Sequence, residues 1–443
     1  MTQTAYRAQL LTFRADPAHD ANGAVFDADG LLLVEDGRVI AAGAHAALAG
    51  RIAPDAKIVN LRDKLIVPGF IDSHIHYPQT DMIASPAPGL LPWLNTYTFP
   101  TERKFEDPDH ARETASFFMD ELLANGTTTA LVYCTVHKQS VDAFFSESES
   151  RNLRMIAGKV LMDRNCPDYL RDTAQSGYDD SRELIGRWHK RGRQEYALTP
   201  RFAPTSTEAQ LEACGVLARA HEDVYVQSHV AENTDEIKWV ESLFPGHRSY
   251  LDIYDHYDLL RRRAVFGHCI HLDETDRRRM AETGAVASHC PTSNLFLGSG
   301  LFNFDEAGAA NMPVALATDV GGGTSFSMLQ TMGEAHKIAR LTAHHLTGTR
   351  MFWLATTGAA QVLDLADKVG TLRAGSEADF VVLDPAGTPL LRRRTSRAES
   401  LEELLFAFAL LGDDRAVFET YSAGNCVHRR DTRRDVTREL AEA

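Results

Sequence analysis

Pro68-Gly69-Phe70-Ile71-Asp72-Ser73-His74-Ile75-His76 is an apolar, strand-like run that ends in two histidines separated by one residue. Residues i and i+2 of a strand point to the same side, so both imidazoles can address one metal ion. Further strand-like runs follow at 128–134, 155–161, 196–201, 224–228, 264–266, 284–288 and 314–318. With 66–73 they make eight. Helical patterns lie between them, at 110–125, 207–221, 233–243 and 325–341. The first of these places Phe117, Phe118, Leu122 and Leu123 on one side and stops at Gly126. Strands alternating with helices imply a parallel sheet, and eight strands close a TIM-like (β/α)8 barrel of the α/β class.

The chain ends read differently. Val34-Glu35-Asp36-Gly37-Arg38-Val39 is a hairpin signal centred on Asp-Gly. Ala378–Asp384 and part of 415–427 also read as strands, and Ser400-Leu401-Glu402-Glu403 opens a late helix as a capping box. Neither end is long enough for a good core of its own. The expected organisation is residues 1–67 and 375–443 folding together as a small β-sandwich domain beside a barrel over 68–374.

Across 443 residues the hydrophobic share is 44%, the charged share 24% and the formal net charge −15, as in an ordinary globular protein. The acidic balance argues against a nucleic-acid surface, whose affinity for phosphate depends on clustered Lys and Arg. Six scattered cysteines with no Cys-x-x-Cys pair argue for a reduced compartment and against a cysteine zinc site. With no secretory signal pattern and no apolar run of about 20 residues, the expectation is a cytoplasmic chain without a membrane partner.

Active sites of such barrels form at the C-terminal ends of the strands. The first run ends in His74 and His76, the fourth in Arg201-Phe202, the fifth in His229, the sixth in His268 and the eighth in Asp319. A lone strand-end histidine is more often structural. Jointly, three histidines and an aspartate suit a divalent metal of zinc type with a position open for water. His289 ends the seventh run and stays a candidate of undecided role. Glu232, three residues past His229, is either a proton shuttle or an acid in the first turn of the next helix.

Pro68–His76 resembles the opening metal motif of the amidohydrolase superfamily. Tyr77-Pro78-Gln79, Leu91-Pro92-Trp93-Leu94-Asn95-Thr96-Tyr97-Thr98-Phe99-Pro100-Thr101-Glu102 and Pro200-Arg201-Phe202 resemble its guanine deaminase branch. So do Ser288-His289-Cys290-Pro291-Thr292-Ser293-Asn294 and Thr318-Asp319-Val320-Gly321-Gly322-Gly323. The likeness runs from about Leu65 to Phe380. It implies one zinc per subunit on His74, His76, His229 and Asp319, the four already reached from strand ends. It implies a homodimer, and Gln79, Arg201 and Phe202 holding the purine with Glu232 and His268 beside the reactive water. Phe202 can equally be ordinary core, and Trp93 either stacks on the base or fills a loop.

The implied chemistry is hydrolytic deamination of guanine to xanthine and ammonia. Zinc lowers the pKa of its water toward about 7, and the hydroxide attacks C2. Glu232 protonates N3, Asp319 takes the water's proton, and His268 orients the nucleophile. Alternatives are an amidohydrolase acting on a pyrimidine, an oxidised purine or a triazine and, more remotely, a non-catalytic barrel scaffold.

Overall fold

The computed structural model describes residues 3–86 and 88–430. All eight expected runs become barrel strands: Phe70–His76, Thr127–Tyr133, Arg154–Gly158 continued by Val160–Leu161, Glu195–Pro200, Tyr225–Val230, Ala264–His268, Val286–His289 and Val314–Leu316. They pair in parallel in chain order. The barrel is filled by one layer to which every strand contributes: Ile71, Leu131, Ile156, Ala197, Tyr225, Val265, Val286 and Ala315. Alanines and leucines of the helix Thr357–Val362 and the residues after it plug its base.

The seam between the first and eighth strands carries no regular ladder. It is closed by His76 N donating to Val320 O (2.8 Å) and Asp319 N donating to His74 O (2.9 Å). The Ser73 hydroxyl adds a bond to Leu316 O (2.9 Å).

The helix Pro108–Ala124 buries Phe118, Leu122 and Leu123, but Phe117 is 53% exposed. At about 100° per residue, Phe117 falls beside that face rather than on it. Gly126 takes φ +79° after the helix, where an added Cβ would lie 2.8 Å from the Val381 side chain.

The chain ends build one seven-stranded mixed sheet. Asn425–Arg429, Val417–Ser422 and Phe380–Leu383 pair onto Lys57–Pro68, which continues through Thr4–Phe13 to Ala24–Glu35 and Arg38–Ala44. The hairpin turns at Asp36 (φ 50°) and Gly37 (φ 74°), two left-handed residues as a type I′ turn requires. The run read as 66–73 therefore spans two strands. Ile66 and Val67 pair with Phe380–Leu383 in the chain-end sheet, and the barrel strand starts at Phe70. Residues 431–443 of the expected C-terminal segment lie outside the described residues, as do Met1 and Thr2 of the N-terminal one.

A buried ion network ties this sheet to the barrel. Glu377 accepts from Arg154 Nη2 (2.6 Å) on the third barrel strand and from Arg193 Nη2 (2.6 Å) before the fourth. Arg193 also reaches Asp379 (2.5 Å) and the Ser422 hydroxyl (2.8 Å). Burial alone would raise the Glu377 pKa, but the two guanidinium groups win and hold it at about 2. A carboxylate depressed in the folded state stabilises fully above its unfolded pKa, and that stability is lost as pH falls toward the folded value. Glu377→Gln is therefore expected to cost about 2–3 kcal/mol at neutral pH. The gap to the native chain should narrow by roughly half between about pH 5 and about pH 3 in urea unfolding. A gap independent of pH would contradict the ion pairing.

Candidate active site

Period-two alternation counted from Ile71, which faces the barrel interior, would carry Ile75 inward and both histidines out. The strand instead shifts register between Asp72 and Ile75 against its neighbour. Ile75 packs in the outer core with the helices, and His74 and His76 turn to the barrel mouth. Asp72 holds this irregularity. Fully buried, it accepts from His74 N (3.2 Å), from Thr318 N (3.1 Å) and from the Thr318 hydroxyl. One carboxylate thus ties the backbone of one strand-end histidine to the residue preceding Asp319.

The donor atoms converge. His76 Nε2 lies 3.3 Å from His74 Nε2 and 3.2 Å from His229 Nε2. Asp319 Oδ1 lies 3.3 Å from His74 Nε2 and 3.4 Å from His76 Nε2. Donors about 2.0–2.1 Å from a tetrahedral cation stand about 3.3 Å apart, so these separations fit a zinc-type centre. The ring chemistry fits too. His229 Nδ1 donates to Arg201 O (2.6 Å), which leaves the Nε2 lone pair facing the others. Burial drives the His76 pKa down to about 3 and that of His229 well below the usual range, so both rings are neutral. Burial opposes ionisation of Asp319, but its contacts with His74 and His76 outweigh it and keep the carboxylate charged.

A second donor group, His74, His268, Cys290 and Asp319, overlaps the first. Burial pushes the Cys290 thiol well above its usual pKa, and its sulfur lies 3.3 Å from Ser288 O as a donor. A protonated thiol is a poor ligand, so the three-histidine set is the better site.

Each remaining expected residue can be placed. Gln79, Trp93, Arg201, Phe202, Glu232 and His268 all line one cleft with His76, His229 and Asp319, narrowed by Leu90, Leu94 and Leu297. Its empty volume of about 400 Å³ includes the mouth. Glu232 precedes the helix cap Asn233, so it is not a first-turn helix acid. Its Oε1 accepts from the Ser299 hydroxyl (2.8 Å), and Oε2 lies 3.3 Å from His268 Nε2. Burial, then the Asp319 charge, raise its pKa. Glu236 fixes the turn by accepting from Glu232 N and Asn233 N, both at 3.1 Å. His268 and Asp319 adopt φ +71° and +52°. That left-handed backbone costs about 1–2 kcal/mol per residue with a Cβ. Trp93 donates Nε1 to Ser85 O (3.1 Å), and both Trp93 and Phe202 join the apolar cluster around the cleft.

His289 is not drawn in. It is buried against Phe302, with ring centroids 4.7 Å apart, and does not line the cleft.

Several positions escaped the sequence reading. Asn294 Oδ1 meets His268 Nδ1 at 2.9 Å. Glu102, 1% exposed, is bonded to both Arg201 and Gln79. Tyr133 stacks on His76 with centroids 4.4 Å apart. Gly267 leaves room for His74, since a Cβ there would stand 2.6 Å from the ring. Asn294 and Glu102 fall inside segments that carry the family likeness, but only three-dimensional contact shows what they touch.

Residues 65–427 match the amidohydrolase family. The chain belongs to that family. This amidohydrolase is 49% identical over 416 residues to the guanine deaminase of Escherichia coli K12, covering 94% of this chain and 95% of the relative. The structure of E. coli guanine deaminase superposes with a TM-score of 0.93 at 47% identity, covering 97% of this chain and 100% of that one. Guanine deaminase from C. acetobutylicum with bound guanine in the active site superposes with a TM-score of 0.87 at 27% identity, covering 96% and 100%. The likeness read from the motifs is borne out. No helix among the described residues is long and apolar enough to cross a membrane.

Replacing Asp72 by Ala strands two buried backbone N–H groups, each worth about 1–3 kcal/mol. The expected result is a stability loss of about 3 kcal/mol in chemical unfolding together with reduced metal content. Native stability with a full complement of metal would contradict its role at the seam.

Proposed function

We propose that this amidohydrolase hydrolyses guanine to xanthine and ammonia, with one zinc per subunit held by His74, His76, His229 and Asp319. The observation that carries the reading is one narrow cleft lined by three of the four donors, His76, His229 and Asp319, together with Arg201 and Gln79. The likeness to guanine deaminases over almost the whole chain supports the same substrate.

Zinc, when bound, acts as a Lewis acid that makes a nucleophile available from water at neutral pH. The side chains do the rest. Arg201 offers donors suited to O6, and Gln79 offers one donor and one acceptor to the neighbouring edge. Phe202, Trp93 and the leucines flank the ring and exclude water. Glu232, protonated by virtue of burial and the nearby Asp319 charge, gives its proton to N3 and draws electron density from C2. The water oxygen adds to C2, and Asp319 takes the proton that water loses. His268, steadied by Asn294, orients the oxygen. A proton relayed through Asp319 and Glu232 then reaches the exocyclic amine, the C2–N bond breaks as the C2 hydroxyl returns its proton to Glu232, and ammonia departs. Guanine and water are consumed, and xanthine and ammonia are formed. Adenine is rejected because it would leave buried donors unpaired, a mismatch worth on the order of 10⁴ in specificity.

Ultraviolet loss of guanine and release of ammonia should both depend on metal, stopping after chelation and returning with zinc. Zinc-replete protein that leaves guanine intact would overturn the substrate assignment and turn attention to pyrimidines and triazines. Arg201→Ala should lower guanine kcat/KM by at least about 100-fold at unchanged zinc content. Zinc lost in step with activity would remove Arg201 from substrate binding.

A further inference from the structure

Glu102 is a buried carboxylate that the chemistry above does not use. It lies in an almost unbroken helical stretch made of Leu90–Trp93, Leu94–Thr98, Phe99–Glu102 and Arg103–Glu106. Pro100 cannot donate to the helical ladder, and the turn before it, Leu94–Thr98, widens to a π-helix. Phe99 and Glu102, three residues apart, then share one face.

That face meets the base-binding pair. Both oxygens of Glu102 lie 2.8 Å from Arg201 Nη1, and Oε1 accepts from Gln79 Nε2 at 3.2 Å. The Arg201 guanidinium stands 5.5 Å over the Phe99 ring. Gln79 Oε1 in turn accepts from Gly321 N at 3.2 Å. Both ends of the Gln79 amide are thus committed, so its orientation is set and one N–H and one lone pair remain for a ligand. The guanidinium is 3% exposed and, among the described residues, pairs with the Glu102 carboxylate alone, so the pair together is formally neutral.

We propose that Glu102 is a specificity-determining, positioning residue: it fixes the polarity of Arg201 and Gln79 and cancels the arginine charge, so that the cleft takes an uncharged 6-oxopurine and disfavours a purine anion of the same shape. This deepens the purine reading and rests on it. A free guanidinium would attract an anion, whereas one already paired offers hydrogen bonds while the carboxylate beside it repels negative charge. Xanthine ionises more readily than guanine, so the same device favours release of the product once it forms.

The test uses zinc-loaded enzyme and two inhibitors of guanine turnover. Hypoxanthine stays neutral from the acid to the mildly alkaline side of neutrality, while xanthine passes from neutral to anion. The ratio of their inhibition constants removes the enzyme's own response to pH. In the native protein xanthine should weaken relative to hypoxanthine by about tenfold as it ionises. In Glu102→Gln that weakening should vanish or reverse, with KM for guanine raised about tenfold and kcat held within about threefold. Glu102→Asp keeps the charge and should restore the discrimination, though not the native KM.

Equal inhibition by xanthine anion and hypoxanthine in the native protein overturns the proposal without any variant. So does a Glu102→Gln protein that loses kcat at unchanged KM while still discriminating. If Glu102→Gln fails to fold, the native protein and Glu102→Asp decide by the same ratio. Failure of both purines to bind the native protein is a different result and defeats the purine reading itself.

Discussion

The site depends on how the barrel closes. Between the first and eighth strands the ladder gives way to individual hydrogen bonds, and these fall at His74, His76 and Asp319. The backbone that closes the cylinder is therefore the backbone that carries three of the four converging donors. Asp72 joins the two sides from within, where its acceptors cannot be replaced by water. The register shift at Asp72 turns both histidines to the mouth, and Gly267 leaves the room into which the His74 ring fits. Barrel closure and ligand placement are one constraint.

Around these donors the protein arranges opposite protonation states within a few ångströms. His76 and His229 are kept neutral by burial and so present lone pairs, while the contacts of Asp319 with His74 and His76 outweigh its burial and keep it ionised. Glu232 is buried beside them, 3.3 Å from His268, and burial and then the Asp319 charge disfavour its ionisation. In the proposed chemistry one carboxylate serves as a ligand and the other as an acid because their neighbours differ, not because their chemistry does. For Arg201, which lines the same cleft, the problem is inverted, since its guanidinium needs a counter-charge and finds it in Glu102.

Much of this was legible in the sequence, for identifiable reasons. The eight strands were visible because each is buried on both faces and so reads as a continuous apolar run, and the strand-end position of His229, His268 and Asp319 follows from barrel geometry. The inward direction of His74 and His76 was not legible, because a bulge reverses the alternation that periodicity assumes. The run read as one strand over 66–73 crosses the division at Gly69, because Ile66 and Val67 are as apolar as the barrel strand that follows, yet they pair with Phe380–Leu383. Phe117 shows the limit of reading an apolar pair as one face. Glu102 and Asn294 were quoted only as parts of motifs, since hydrogen bonds to residues 99 and 26 positions away leave no periodic trace. His289 met the strand-end criterion and still turned into an apolar cluster, so placement at a strand end is necessary without being sufficient.

The most direct measurement is X-ray absorption at the zinc edge on purified, zinc-loaded protein, which reads the donor atoms themselves. A shell of nitrogen and oxygen only, at about 2.0–2.1 Å, is expected from His74, His76, His229 and Asp319. A sulfur scatterer at about 2.3 Å would place the ion on the overlapping group that contains Cys290 and contradict the assignment on which the chemistry rests.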